Sequence, residues 1–140
     1  MILRLCRLLI GVLVLSLTVP LTAHTRQAPK GKAKPPQLTL RANPTLGFAP
    51  LRVVATLELV GGADDYEDFY CPKLEWRWDD DTTSNTNLDC DPYVAGKSEI
   101  RRRYTTEHKY TEGPGSFEIT TTLKQGSKTV GYAKVTVKIQ

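Results

Sequence analysis

Apolar and polar residues alternate in short runs along most of this 140-residue chain. The clearest runs are residues 51–59, 74–78 and 117–123, and each has one apolar face and one polar face. A period of two is typical of a β-strand with one buried side, and no stretch has the spacing of an amphipathic helix. The apolar faces must meet each other, so the pattern predicts an all-β antiparallel sandwich of two sheets.

Two places disturb this alternation. In the last predicted strand Val135, Val137 and Ile139 share one face, but Tyr132 falls on the other, so we expect a β-bulge near residues 131–133. Around residue 102 the alternation aims an arginine at the core. Either the strand bulges there, or Arg102 lies at the rim of the sandwich and its charge reaches water or an acidic residue.

The first 23 residues predict a secretory signal peptide. Arg4 and Arg7 precede an apolar run at residues 8–17, and small residues follow as far as Ala23. A retained membrane anchor is the alternative, although the run is shorter than the roughly 20 residues that a spanning helix needs. We therefore expect a protein that is secreted, periplasmic or at the cell surface, with no membrane span after cleavage. Residues 24–36, rich in lysine and proline, predict a flexible linker, and residues 37–140 predict one monomeric domain.

Export changes the meaning of the cysteines. Cys6 would leave with the signal peptide, so Cys71 and Cys90 remain as an even pair in an oxidising compartment. A disulfide between them is favoured over free or metal-bound thiols.

The charge of the domain argues against nucleic acid as a partner. The whole chain has a net charge of +4, but from residue 37 onward there are 13 basic and 15 acidic residues. Phosphate binding needs a basic face on the folded part, and the excess of lysine lies in the predicted linker.

Three segments in order resemble the polycystic kidney disease (PKD) repeat, an immunoglobulin-like β-sandwich. They are residues 43–53, the stretch Trp76-Arg-Trp-Asp-Asp-Asp-Thr82, and His108-Lys-Tyr110 followed by Gly115 and Phe117. The resemblance implies that Trp76, Trp78, Tyr110 and Phe117 belong to the core. It also implies a structural role for His108 and a backbone partner for the hydroxyl of Tyr110.

The departures from this family pattern are specific. Asp79 and Asp81 stand where the family has turn glycines, so we expect a turn of different shape, because aspartate tolerates a positive φ less well than glycine. Residues 61–72 and 81–97 are longer than is usual in the family. Cys71 and Cys90 lie at the inner ends of these insertions, so we hypothesise that their disulfide pins the ends of the hairpin between them.

The acidic stretch after Trp78 has the oxygen ligands that calcium prefers. The candidates are Asp79, Asp80, Asp81 and Asp89, with Asn85, Asn87 and Asp91 nearby. Their spacing does not fit the twelve-residue calcium loop, because Ser84 replaces the required glycine and Cys90 the closing glutamate. A solvated polar turn is therefore favoured over a calcium site, and we expect no other cofactor.

The aromatic residues Tyr66, Phe69 and Tyr70 stand among four acids. They form either a contact surface for protein or carbohydrate, or a plug over the end of the sandwich, and the second interpretation is favoured. In the run 101–103, neighbouring arginines point to opposite faces of a strand, so no anion site is expected. No nucleophile motif accompanies His108, so we do not expect an enzyme.

The resemblance to PKD repeats implies a binding or structural module that makes protein–protein or protein–carbohydrate contacts. The alternative is a small inhibitor or accessory subunit that docks to an extracellular enzyme through residues 61–72. Both rest on analogy between folds, and a fold alone does not determine a function.

Overall fold

The computed structural model describes residues 34–140. The predicted signal peptide and most of the predicted linker lie outside these residues. The described part holds eight strands and one short 3-10 turn: β1 Gln37–Asn43, β2 Leu46–Gly47, β3 Leu51–Val60, the 3-10 turn Glu67–Phe69, β4 Lys73–Arg77, β5 Thr83–Thr86, β6 Arg103–Tyr110, β7 Gly115–Gln125 and β8 Lys128–Ile139. Within this range we find no helix with the length and apolar character needed to cross a membrane.

The strands form two facing sheets. One has three strands in the order β1-β3-β6, and the other has five in the order β2-β8-β7-β4-β5. Every pairing is antiparallel except that of the two-residue strand β2 with β8. The prediction of an all-β, immunoglobulin-like sandwich is confirmed.

The core consists of the apolar faces that the alternation predicts. Val53, Ala55 and Leu57 of β3 are fully buried. In the other sheet, Trp76 of β4 and Ile119 of β7 are also fully buried. A one-residue shift of β3 would expose its whole set, so burial fixes the register of β3 between β1 and β6.

Strand β5 has no alternation of apolar residues, and its role is to provide hydrogen-bond acceptors for two buried indoles. The Nε1 of Trp76 donates to the hydroxyl of Thr86 at 3.1 Å, and the Nε1 of Trp78 donates to that of Ser84 at 3.0 Å. Both hydroxyls belong to β5, so this polar strand supplies the partners that buried indole N–H groups require.

The bulge in β8 lies slightly earlier than the sequence predicts. Leu123 pairs with Gly131, but the next residue Lys124 pairs with Thr129, so Val130 is the extra residue. The bulge shifts the phase of the alternation, so Val130 and Ala133 both pack against the core, while Tyr132, 65% exposed, faces solvent.

The turn after Trp78 adopts glycine-like backbone angles although aspartates stand at both positions. Asp79 and Asp81 both adopt positive φ angles, 65° and 62°, in the region that favours glycine. The short side chain of aspartate bonds locally and tolerates this region better than most residues do. Here Asp79 accepts a hydrogen bond from the backbone N–H of Glu118 at 3.0 Å, which helps to hold the turn.

Candidate functional site

Two long loops lie together at one end of the sandwich. Residues 61–72 lead into β4, and residues 87–102 follow β5. β4 and β5 are antiparallel neighbours, so both loops leave the same end of the sheet. The disulfide predicted between Cys71 and Cys90 is present and joins them. We call residues 61–72 and 87–102 the loop pair.

Reciprocal tyrosine bonds add to the disulfide. The hydroxyl of Tyr70 donates to the carbonyl of Asp91 at 3.0 Å, and the hydroxyl of Tyr93 donates to the carbonyl of Asp65 at 2.7 Å. The two tyrosine rings meet edge to face at 5.5 Å. Each loop therefore donates a tyrosine hydroxyl to a backbone carbonyl of the other.

Arg102 closes the base of the loop pair. Its guanidinium donates to the carbonyls of Leu59, Gly61 and Gly62, and to the carboxylate of Asp64 at 2.5 Å. β6 begins only at the next residue, so Arg102 lies at the rim with its charge on an acid. Of the two interpretations of this residue, the rim position is the correct one.

The aromatic residues of residues 61–72 divide between core and surface. Phe69 is only 3% exposed and packs over the end of the core. Tyr66 meets the Phe69 ring edge to face at 5.4 Å, and both Tyr66 and Tyr70 are half-buried. Phe69 is therefore a plug, while ring edges of Tyr66 and Tyr70 stay at the surface. Tyr93 was not among the predicted contact residues. In the sequence, its position close to Cys90 was the one feature that could have indicated a role in this region.

The surface of the loop pair is acidic. Lys128, the first residue of β8, neutralises Asp68 at 2.9 Å, and Arg102 neutralises Asp64. Five further acids are exposed and have no ion-pair partner among the residues that the structure describes: Asp65, Glu67, Asp89, Asp91 and Glu99.

Two of the carboxylates proposed as calcium ligands, those of Asp79 and Asp80, act in other bonds. Asp80 accepts from the hydroxyl of Thr82 at 2.5 Å and contacts the Nε2 of His108 at 2.6 Å. Partial burial by itself raises the pKa of Asp80, but the hydrogen bonds from Thr82 and His108 outweigh it and lower that pKa. Residues 34–140 contain no cluster of three or more histidine, cysteine or acidic side chains that is arranged to hold a metal ion.

The opposite end of the sandwich carries a stack of aromatic rings. His108 lies parallel to Trp78 with ring centroids 4.5 Å apart, and Tyr110 meets His108 edge to face at 4.7 Å. The buried hydroxyl of Tyr110 donates to the carbonyl of Trp78 at 2.9 Å. Phe117, half-buried, packs on Tyr110 at 4.7 Å. Burial, with the nearby carboxylates of Asp80 and Asp79, raises the pKa of Tyr110 above its ordinary value.

Tyr104 differs from Tyr110 although both lie on β6. Its hydroxyl is buried and has no hydrogen-bond partner among residues 34–140. Burial raises the pKa of Tyr104 to about 12. An unpartnered buried hydroxyl costs stability, so Tyr104 contributes through its ring rather than through its polar group.

No protein-family model matches the chain, and no curated protein matches it. Among solved structures the chain is similar to the CARDB domain of a Pyrococcus furiosus protein, which was crystallised in complex with di-metal ions. The similarity covers 75% of this chain and 94% of that chain, at 13% sequence identity and a TM-score of 0.45.

Proposed function

We propose that this protein is an exported, non-catalytic binding module of the PKD type that contacts another protein through the loop pair. The observation that carries the proposal is the cross-linking of two long surface loops by one disulfide, two tyrosine–carbonyl bonds and one arginine. Loops held in one shape lose less entropy on binding, which increases affinity.

The chemistry of the surface indicates the kind of partner. Exposed acids surround the accessible ring edges of Tyr66, Tyr70 and Tyr93. Tyrosine is enriched at protein interfaces, and complementary charge speeds association and selects partners. A protein with a basic patch fits this surface, and an extracellular enzyme held by an inhibitor or accessory subunit is one form of such a partner.

Export and the lack of catalysis are parts of the same proposal. A disulfide is typical of proteins from oxidising compartments. His108, the one histidine of the domain, lies against Trp78 and contacts the carboxylate of Asp80. An imidazole held in this way stabilises the aromatic end, and no hydroxyl or thiol nucleophile is hydrogen-bonded to it.

Affinity capture with matched variants tests the proposal. The loop variant combines Asp65→Asn, Glu67→Gln and Asp89→Asn, which removes three charges and keeps the shapes of the side chains. The control variant combines Glu58→Gln, Glu75→Gln and Glu118→Gln, which removes three charges from the sheet faces, away from the loop pair and from residues 80–82 and 107–112. We expect partner proteins from the extracellular fraction of the source cells to be captured by wild type and control and lost from the loop variant. Equal capture by all three proteins would contradict contact through the loop pair.

One observation favours carbohydrate as a second candidate partner. Tyr132 is exposed on the solvent face of the five-stranded sheet, in a cross-strand row with Thr122, Glu75 and Asn85. An exposed ring beside polar groups is suited to a sugar face. Binding to a glycan array that is lost in Tyr132→Ala and kept in the loop variant would support this candidate over protein contact.

A further inference from the structure

The two sheets differ in width, and the difference leaves the edge of β6 open. β6 is the last strand of the three-stranded sheet, whereas the facing sheet has five strands. Trp78, at the end of β4, packs on His108 and Tyr110, so β4 faces β6. β5 is the next strand after β4, and it therefore extends beyond β6 and faces a place where the smaller sheet has no strand.

The backbone of β6 is ready to pair on that side. Leu59 N–H donates to Arg102 O at 2.9 Å, so positions 59 and 102 are a hydrogen-bonded pair in the β3–β6 register. Bonded and non-bonded pairs alternate in an antiparallel ladder. The backbone groups of residues 104, 106, 108 and 110 therefore point to β3, and those of residues 103, 105, 107 and 109 point outward.

One outward carbonyl already has a partner. The side chain of Arg101 bends back, and its Nε donates to the carbonyl of Arg103 at 3.1 Å. This contact supports the assignment of the outward groups, because a carbonyl bonded to β3 would not face that side chain. By occupying this carbonyl, Arg101 also hinders unwanted pairing of the edge, as charged residues do on other exposed edge strands.

A groove runs beside the second half of β6. It has a volume of about 440 Å³ and is lined on one side by Asp80, Asp81 and Thr82, and on the other by His108, Lys109 and Glu112. Asp80 is occupied by His108 and Thr82, but the carboxylates of Asp81 and Glu112 are exposed and lack an ion-pair partner among the described residues. The carboxylates outnumber the one ammonium group of Lys109, so this end of the groove favours a cation.

We propose that an extended peptide segment of a partner protein binds along β6 as a fourth strand of the smaller sheet, with a lysine or arginine beside Asp81 and Glu112. Strand addition gives main-chain hydrogen bonds, and alternate side chains of the peptide enter the groove. An antiparallel peptide would place its N-terminal part beside the C-terminal end of β6, so the basic residue belongs near its N-terminus. This site is separate from the loop pair and does not depend on its function.

A second folded copy of this domain fits the edge poorly. If the β6 strands of two copies paired, the second copy's β6 would fill the vacant position beside the first copy's β6. The second copy's β4 lies over its own β6, so it would need the space that the first copy's β5 already occupies, and the two five-stranded sheets would collide. A single strand without a sheet behind it meets no such obstacle.

The probe is an acetylated eight-residue peptide of alternating threonine and valine with lysine at its second position. We expect binding in the micromolar to millimolar range, measured by amide hydrogen exchange and chemical-shift perturbation in NMR. The peptide should slow exchange at Thr105, Glu107 and Lys109, whose amides exchange fast in the free protein. The amides of residues 104, 106 and 108, already bonded to β3, should change little.

Thr105→Pro is the decisive variant. Proline removes an outward N–H and leaves the bonds to β3 intact, and proline is tolerated on edge strands where its nitrogen faces solvent. We expect a loss of affinity of about tenfold or more, the equivalent of one or two hydrogen bonds. The control Thr105→Val should bind as wild type does. Should Thr105→Pro prove unstable, the same test is made from the other side with a peptide N-methylated at alternate amides, which should not bind to wild type.

Two further variants test the contact of Arg101 with the edge and the contribution of the Asp81 carboxylate. Arg101→Ala frees the carbonyl of Arg103 and should tighten binding, and Asp81→Asn should weaken it about threefold with the lysine peptide but not with a glutamine peptide. The proposal is overturned by any of three results: no binding at millimolar peptide, protection elsewhere than at residues 103–109, or unchanged affinity of folded Thr105→Pro. Thr105→Pro and Asp81→Asn leave the loop pair unchanged, so their outcome is independent of the capture experiment above; among these variants, Arg101→Ala is the one that lies in the loop pair.

Discussion

The two ends of this sandwich are held by different kinds of interaction. At the loop pair, a disulfide, tyrosine hydroxyls and the guanidinium of Arg102 fix backbone that has little apolar surface to bury. At the opposite end, the rings of Trp78, His108 and Tyr110 pack in direct contact around a short turn. The first end keeps a surface in shape with a few discrete links, and the second depends on burial spread over many atoms. A change at one link should therefore loosen the loop pair locally, whereas a change in the rings should be felt by the whole fold.

The largest expected effect comes from the disulfide. The double variant Cys71→Ala/Cys90→Ala should lower the free energy of unfolding by about 3 kcal/mol. The reason is that the unfolded chain is no longer restricted by a disulfide that joins two residues 19 positions apart. Urea unfolding measures the loss. Amide exchange should rise in residues 61–72 and 87–102 and stay low around Trp78 in the folded variant. A uniform rise over both ends would show that they are not separate in this way.

The two buried tyrosines of β6 give a matched pair. Tyr110→Phe removes the donor to the Trp78 carbonyl and should destabilise the protein by about 1–2 kcal/mol. Tyr104→Phe removes a hydroxyl that has no partner and should leave stability unchanged or raise it by about 1 kcal/mol. Thermal unfolding of the two variants at pH 7 compares them directly. Equal losses would contradict the difference between the two hydroxyls.

Alkaline pH tests Tyr104 further. Its pKa is raised from 10.0 to about 12 in the fold, so the folded state holds the proton more tightly than the unfolded chain does. The resulting stability is complete below pH 10 and is lost as the pH rises towards 12. Because Tyr104→Phe has no such proton, its stability should fall less steeply in this window.

Acid pH tests the turn at the aromatic end. The pKa of Asp80 is below its ordinary value of 3.8 in the fold, so the unfolded chain binds this proton more readily. The contribution of Asp80 is present above pH 3.8 and is lost as the pH falls through the lower folded pKa. Asp80→Asn should flatten the acid limb of stability against pH. Some slope should remain, because hydrogen bonds from Arg103 and Lys124 also lower the pKa values of Glu58 and Glu75.

The smallest expected effect is at the turn backbone. Asp81→Gly should stabilise the protein by about 0.5 kcal/mol, because glycine adopts the positive φ at no steric cost. Asp81→Ala is the matched change in the other direction and should destabilise by a similar amount. Chemical unfolding of both variants measures the difference. A gain from alanine would indicate that the left-handed conformation of Asp81 is not required.

The alternation of residues was enough to predict the strands whose faces are apolar. It located the buried set of β3 and the faces of Trp76 and Trp78, because a period-two pattern has only one register that keeps these side chains dry. It did not predict β5, since Thr83–Thr86 has no apolar member and its role is to accept hydrogen bonds from distant indoles.

The candidate site was predictable only in outline. The cysteine pair and the insertions around it marked the region, but the partners that fix it are backbone carbonyls, which have no signature in a sequence. The carbonyl of Asp65, which accepts from Tyr93, and the carbonyls that accept from Arg102 are of this kind. The open edge of β6 was equally hidden, because it follows from a strand that is missing rather than from residues that are present.

The parallel indoles of Trp76 and Trp78, with centroids 6.2 Å apart and planes 12° from parallel, give the protein a built-in optical signal. Chromophores this close couple their strongest electronic transitions, so the far-ultraviolet circular dichroism should carry a paired band that neither ring would give alone. Since each ring is tethered to a different hydroxyl of one short strand, undocking of that strand would alter the band before the rest of the molecule unfolds. Spectroscopists could therefore follow a single hairpin without adding a label.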